Sequence, residues 1–113
     1  MLISLLTFVG PDAAPNISNL FNTSSTSLLV TWLHDIPPEM HNGILIGYQV
    51  RWQGPGSSSS MLLGLHANSY NITGLNKYTS YNISVAGRTN GGVGVERQKT
   101  VMTDEDSKKI CLI

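Results

Sequence analysis

The side chains of this 113-residue chain that could take part in catalysis are His34, His41, His66 and Cys111. The histidines are 7 and 25 residues apart on different predicted elements, so they lack the spacing of metal ligands. No serine lies in a Gly-x-Ser-x-Gly motif, and the stretch Gly91–Gly94 has no following Lys-Ser/Thr to hold phosphate. The sequence therefore predicts neither an enzyme nor a bound metal or cofactor.

A different chemistry, N-linked glycosylation, is indicated by four Asn-x-Ser/Thr sequons. About two would arise by chance in a chain so rich in Asn, Ser and Thr, so their number alone is weak evidence. Asn71 and Asn82, however, alternate with apolar residues, which places both on the solvent face of their strands. We therefore predict that at least Asn82 is glycosylated when the chain is secreted. The four acceptors are Asn16, Asn22, Asn71 and Asn82.

Composition and charge narrow the range of partners. The chain carries 7 Lys+Arg against 7 Asp+Glu, and only 12% of its residues are charged. This balance disfavours an acidic disordered tail and a nucleic-acid-binding protein alike. All seven basic residues lie from Arg51 onward, which makes the second half +3 and the first half −3. Because Cys111 is the only cysteine, an internal disulfide is excluded.

Alternating apolar and polar residues predict about seven short strands joined by turns, and no stretch has a helical period. Weaker signals of the same kind indicate two short strands, over 61–65 and 70–72, and a last strand over 95–103. The clearest inward-facing residues are Leu28, Val30 and Trp32, then Tyr48, Val50 and Trp52, and finally Tyr81, Ile83 and Val85.

Three stretches that are rich in turn-forming residues separate these strands. Asp35–Gly43 contains two prolines and an Asn-Gly pair and is predicted to be a long loop. Gly54–Ser60, with its run of serines, and the glycine-rich Thr89–Gly94 are predicted to be turns.

The two ends of the chain are predicted to lie outside the domain, which spans residues 11–103. Residues 1–10 are apolar but carry no basic residue, so they are either a leader or the end of a preceding segment, and they are too short to span a bilayer. Residues 104–113 are charged and are predicted to fray. Cys111 is third from the end, whereas a prenylation box needs Cys fourth.

Four segments in order carry a family resemblance. Ala14–Ile17 is similar to a proline-led first strand, Val30–Trp32 to a second strand with a core Trp, and Asn42–Val50 to a third strand containing Gly-Tyr. The fourth segment has the spacing of a tyrosine corner, with Leu75, Thr79, Tyr81, Ile83, Val85 and a Gly92-x-Gly94 pair. Together they resemble a fibronectin type III domain over roughly 11–103, with departures at Lys77, Gly87 and Thr89.

The resemblance implies an all-β fold, a seven-stranded antiparallel immunoglobulin-like sandwich. Trp32 and Tyr48 would fill the space between its sheets, and the hydroxyl of Tyr81 would bond to backbone in the preceding turn. These residues have structural rather than functional roles. The expected core comprises Trp32, Tyr48, Val50, Leu75, Tyr81, Ile83 and Val85.

Two surfaces of such a sandwich could bind partners. Its third, sixth and seventh strands share a sheet, so their basic residues could form a face for a sulfated glycan or an acidic domain, although a solvated face is the alternative. Arg51 and Arg88 should face outward, and the phase of the last strand is open. The loops at one end could contact other protein domains. The residues concerned are Arg51, Arg88, Arg97 and Lys99, and in the loops Pro37, Pro38, His41 and Asn90.

The expected function is a non-catalytic module that spaces or binds within an extracellular adhesion molecule or receptor, since the chain is similar to domains of neural adhesion proteins and receptor tyrosine phosphatases. The sequons and the resemblance together favour a secreted or cell-surface location. An accessory domain of a secreted or receptor enzyme is the alternative. A third interpretation, an intracellular structural array, would make the sequons accidental.

Overall fold

The computed structural model describes residues 10–104, so both predicted end segments lie outside the described residues except for Gly10 and Asp104. Within this range the chain forms seven strands and one short 3-10 turn, Pro38–Met40. The strands are β1 Ile17–Ser24, β2 Ser27–Trp32, β3 Leu45–Gly54, β4 Ser57–Gly64, β5 Ser69–Ile72, β6 Ser80–Thr89 and β7 Gly92–Met102.

The seven strands form two antiparallel sheets. One sheet has the order β1-β2-β5 and the other the order β4-β3-β6-β7. Each strand has a period of two, so every strand turns one set of side chains towards the opposite sheet and the other set outward. This architecture confirms the predicted seven-stranded antiparallel sandwich.

The core lies between the sheets and contains the apolar residues that alternate along the strands. All seven residues expected in the core are buried. Trp32, at the end of β2, packs against Tyr48 of the other sheet with 5.8 Å between ring centroids. Trp52 and Tyr70 form a second aromatic pair between the sheets, with 5.9 Å between centroids.

Tyr81 closes the turn between β5 and β6. Its hydroxyl accepts a hydrogen bond from the backbone N–H of Asn76 at 2.9 Å, which is the geometry expected of a tyrosine corner. Thr103 ties the end of the chain to the same turn. Its Oγ1 donates to the carbonyl of Asn76 at 2.7 Å and accepts from the N–H of Thr79 at 2.8 Å. Side-chain bonds therefore satisfy the backbone groups of this turn.

Two turns are tighter than the sequence predicts. The turn predicted over Gly54–Ser60 is wrong for most of its length, because β3 runs to Gly54 and β4 begins at Ser57. Only Pro55 and Gly56 connect the two strands. The serines are exposed on an edge strand, where no apolar alternation is needed to bury a face. In the same way, β6 reaches Thr89 and β7 begins at Gly92, so the last strand is longer than predicted.

The segment before β1 lies against the start of β7. The carbonyl of Pro11 accepts a hydrogen bond from the N–H of Val95 at 3.1 Å. A Cβ atom on Gly94 would lie 2.2 Å from that carbonyl oxygen, so this close approach of two backbones requires glycine. Gly94 thus secures the entry of the chain into the sandwich.

Truncation of the core tryptophan tests the packing between the sheets. Trp32 is 2% exposed, and replacement of such an aromatic by Ala costs about 3–5 kcal/mol, out of a total stability of about 5–15 kcal/mol. We expect Trp32→Ala to unfold the domain or nearly so in thermal and urea denaturation.

The matched control is the next residue, Leu33, which is 47% exposed. Leu33→Ala should leave the melting temperature almost unchanged. An unaltered melting temperature for Trp32→Ala would contradict the core assignment.

Candidate interaction surfaces

The two sequons on the later strands lie on outward faces. Asn71 is directly opposite Leu29, on the outer side of the three-stranded sheet, and is exposed. Its Oδ1 accepts a hydrogen bond from the hydroxyl of Thr23 at 3.0 Å, so this contact does not use the nitrogen to which a glycan would attach. Asn82 is half-buried on the outer face of β6, and its Nδ2 donates to Oε1 of Gln98 at 3.3 Å.

The two earlier sequons are held more tightly. The Nδ2 of Asn16 donates to Oδ2 of Asp35 at 2.7 Å, and its backbone N–H donates to Oδ1 at 3.0 Å. Asn22 lies opposite the core residue Leu28 and therefore points to the inner side of β1. Its Nδ2 lies 3.4 Å from the carbonyl of Met102. A sugar on Asn22 would have to displace this inward side chain.

Arg51 and Glu96 form an ion pair on the outer face of the four-stranded sheet. Nε of Arg51 donates to Oε2 of Glu96 at 2.9 Å, and a terminal nitrogen of Arg51 donates to Oε1 at 2.6 Å. Arg51 is opposite Ser84 and Glu96 is opposite Ala86, so the pair crosses β6 over two small, buried residues. The hydrogen bond from Arg51 holds the pKa of the Glu96 carboxyl below its usual range.

Arg88 lies flat on the same outer face rather than projecting from it. Its guanidinium donates to the carbonyl of Leu63 at 3.2 Å. A Cβ atom on Gly47 would collide with this carbonyl oxygen and come within 3.0 Å of the guanidinium, so the glycine makes room for both groups. Both arginines of this face are thus engaged by neighbouring strands.

The other two basic residues face the opposite way. Arg97 is directly opposite Val85, and Lys99 is directly opposite Ile83. Residues paired across antiparallel strands point to the same side of the sheet, and both of these partners lie in the core. Arg97 and Lys99 therefore emerge along the edge of the sandwich, where both are exposed.

The four basic residues consequently do not share one face of the sheet. Arg51 and Arg88 lie on the outer face, Arg97 and Lys99 on the inner side of an edge strand. The phase of β7, which the sequence left open, decides this division. The arrangement does not support the binding of a sulfated glycan. Arg51 and Arg88 are hydrogen-bonded to neighbouring strands, and Arg97 and Lys99 point to the other side of the sheet.

The predicted loop contacts lie at one end of the sandwich. Pro37, Pro38 and Asn90 are exposed. His41 is partly buried instead, with its Nε2 at 2.9 Å from the carbonyl of Ile36, so it stabilises the loop. The two loops meet here because β3 begins where β6 ends, with Leu45 opposite Thr89.

All three histidines of the chain line one hollow of about 310 Å³ at this end of the sandwich. His34 stacks on Tyr48, with 5.2 Å between ring centroids and 14° between planes, and its Nε2 lies 2.8 Å from the carbonyl of Ala67. Burial, together with the charge of Asp35, raises the pKa of the Tyr48 phenol. The full lining is His34, Ile36, His41, Leu45, Tyr48, Leu65 and His66.

Sequence reasoning placed the histidines on separate elements and missed their convergence. The signal that could have found it is the β3–β4 hairpin, which returns the residues after β4 to the start of β3. Across residues 10–104, no group of three His, Cys, Asp or Glu side chains could hold a metal ion. Apolar side chains, the Tyr48 ring and three polar imidazoles together line the hollow. Residues 10–104 include no helix with the length and apolar composition that a transmembrane span requires.

The strand order, the aromatic pairs between the sheets and the tyrosine corner define an immunoglobulin-like β-sandwich. A sequence model of the fibronectin type III domain family matches residues 13–103. The chain therefore belongs to the fibronectin type III family.

Known proteins with similar sequences are much longer than this chain. Protein sidekick-1 of Mus musculus is 40% identical over 79 residues, which are 67% of this chain and 4% of that protein. Phosphatidylinositol phosphatase PTPRQ of Rattus norvegicus is 33% identical over 97 residues, 86% of this chain and 4% of that protein. The crystal structure of the chicken CNTN1 FN1-FN3 domains has a TM-score of 0.72 at 22% identity and covers 84% of this chain and 32% of that one.

Removal of the carboxylate tests the contribution of the ion pair between Arg51 and Glu96. Glu96→Gln keeps the shape of the side chain but loses its charge. Because the side chain of Arg51 is 40% exposed, water screens the pair, and we expect the free energy of unfolding to fall by about 0.5 kcal/mol at neutral pH. Urea denaturation measures this difference.

The pH dependence provides the control. The folded pKa of Glu96 lies below the ordinary value of 4.5, so the stabilisation is present above that pH and is lost as the pH falls through the folded pKa. The stabilities of the wild type and Glu96→Gln should therefore converge in acid. A gap that stays constant down to the lowest measurable pH would show that the charge is not its cause.

Proposed function

We propose that the chain acts as a non-catalytic module that binds or spaces neighbouring protein domains within an extracellular adhesion molecule or receptor. The observation that carries the proposal is the contrast between the packed interior of the sandwich and the features on its surface. Within residues 10–104 the apolar core lies between the sheets, whereas the sequons at Asn71 and Asn82, the exposed loops and the hollow lie at the surface. Such a rigid frame presents its loops for contact.

The comparisons support a modular role. The chain corresponds to about 4% of the length of the two relatives described above, so in them the matching stretch is a small part of a longer protein. A stretch of this size that has its own core can serve as one module of a longer protein.

The loop end of the sandwich is the surface that we assign to a neighbouring protein domain. Pro37 and Pro38 have few conformations to lose on binding, because each proline ring restricts its backbone. The adjacent hollow is lined by Ile36, Leu45 and Tyr48 together with the three histidines, and a mixed apolar and polar concavity suits the side chain of a neighbouring domain.

The match to a phosphatidylinositol phosphatase favours a second candidate function, an accessory domain attached to an enzyme. Under this alternative the chemistry is located in sequence outside the 113 residues. The genomic sequence on either side distinguishes the two candidates. A catalytic domain in the same reading frame would favour the accessory role, and further sandwich domains without one would favour the adhesion module.

Glycan occupancy tests the extracellular part of the proposal. We expect the chain, when secreted from eukaryotic cells behind a foreign signal peptide, to carry glycans on Asn71 and Asn82, whose side chains point outward. Asn71→Gln and Asn82→Gln should each remove the mass of one glycan in intact mass spectrometry.

Asn22→Gln is the matched control, because that side chain points inward and should carry no sugar. A wild-type mass that glycosidase treatment does not change would argue against a glycoprotein and for the intracellular array. Occupancy of Asn22 in the folded, secreted chain would contradict the orientation of β1.

A further inference from the structure

The edges of the two sheets differ in how they are protected. An edge strand presents unpaired N–H and C=O groups with which another strand can pair, and proteins usually block such pairing by charges, prolines, bulges or short strands. The edges of this sandwich are β1 and β5 in one sheet and β4 and β7 in the other.

Three of these edges carry a protective feature. The pairing of β1 is interrupted by two register shifts, and β5 is only four residues long. The strand β7 has a register shift and carries Glu96, Arg97 and Lys99. Its N-terminal part is also covered, since the N–H of Val95 is bonded to Pro11.

The fourth edge, β4, has no such feature. Its eight residues, Ser57–Gly64, include no charged residue and no proline. It pairs with β3 without a register shift, from Gly54 opposite Ser57 to Gly47 opposite Gly64. None of the four sequons lies on this strand. The unpaired edge of β4 is therefore free of bulges and of charge.

Apolar side chains are exposed on both sides of this edge. Leu62 is opposite Gln49 on the outer face of the sheet and is 54% exposed. Met61 is opposite Val50, on the inner side, and is 41% exposed. A strand added next to β4 would cover both side chains as well as pair the backbone, and apolar burial favours the association.

We propose that β4 is a dimerisation edge, to which β4 of a second copy of this chain adds in antiparallel orientation. The two four-stranded sheets would then form one continuous sheet across a two-fold axis. With the axis at Met61, residues 58–64 of both copies come into register, and Leu62 of each copy meets the small Ser60 of the other. Residues that oppose each other in this register share a face of the sheet, as pairing requires.

The chemistry of β4 favours its own copy over a different partner. A charged edge strand would repel an identical strand, whereas this neutral one does not. The same neutrality offers nothing to attract an acidic or basic peptide. Symmetric pairing of one surface with itself is also the commonest arrangement in soluble homo-oligomers.

Sedimentation velocity of the full chain over a concentration series tests the dimer. The wild type should shift from the mass of one chain to twice that mass as the concentration rises. Leu62→Lys brings two positive charges, one from each copy, into the centre of the paired edges. We expect their repulsion to weaken dimerisation by about tenfold or more. Thr100→Lys puts the same charge on the outer face of β7, away from β4, and should leave the dimer intact.

Amide hydrogen exchange locates the contact independently of mass. Backbone N–H groups within β4 should gain protection with increasing concentration in the wild type but not in Leu62→Lys. Because Leu62 is exposed, the variant should keep the wild-type melting behaviour, and Ser60→Lys serves in its place if it does not.

Three outcomes would overturn the proposal. They are a wild type that remains monomeric at every concentration, a dimer that Leu62→Lys leaves unchanged, and a dimer that Thr100→Lys weakens equally. A monomer that gains protection in β4 only with an added extended peptide would show that the edge accepts a foreign strand rather than its own copy.

Discussion

Contact between Trp32 and Tyr48 joins the two sheets of this domain. The rings lie 5.8 Å apart, one at the end of β2 and the other within β3. Since both must be buried together, the contact determines which face of each sheet is inward, and the period of two then assigns every other side chain along the strands. The ring of Tyr48 also stacks on His34, and both side chains line the hollow at the loop end.

The outer surface follows from this inward packing. Small residues on β6, Ser84 and Ala86, are buried although they face outward, because the ion pair between Arg51 and Glu96 lies across them. Arg51 and Arg88 thus lie along the outer face of the four-stranded sheet, while the three-stranded sheet presents Asn71. The features available to partners are consequently at the margins of the sandwich, in the loops and along the edge strands.

The sequence predicted the sandwich and its core well because large apolar residues recur at every second position in β2, β3 and β6, and these residues are buried. It failed for Ser57–Ser60, where a run of serines favoured a turn and the structure has an edge strand. An exposed edge buries neither face, so hydrophobic alternation gives no signal there. The start of β7 was also predicted too late, at Val95 rather than Gly92, because glycines that suggest a turn can lie within a strand end when another backbone approaches closely, as at Gly94.

The sequence by itself determined the class of fold, the inward residues, the tyrosine corner and the outward direction of Asn71 and Asn82, since each of these depends on a local period or spacing. Only the tertiary structure decided which distant residues meet. Arg51 and Glu96 are 45 residues apart, the three histidines come from separate elements, and the bases of β7 turn away from those of β3 and β6. These outcomes depend on strand register, which is set by packing across the whole sheet and not by any short segment.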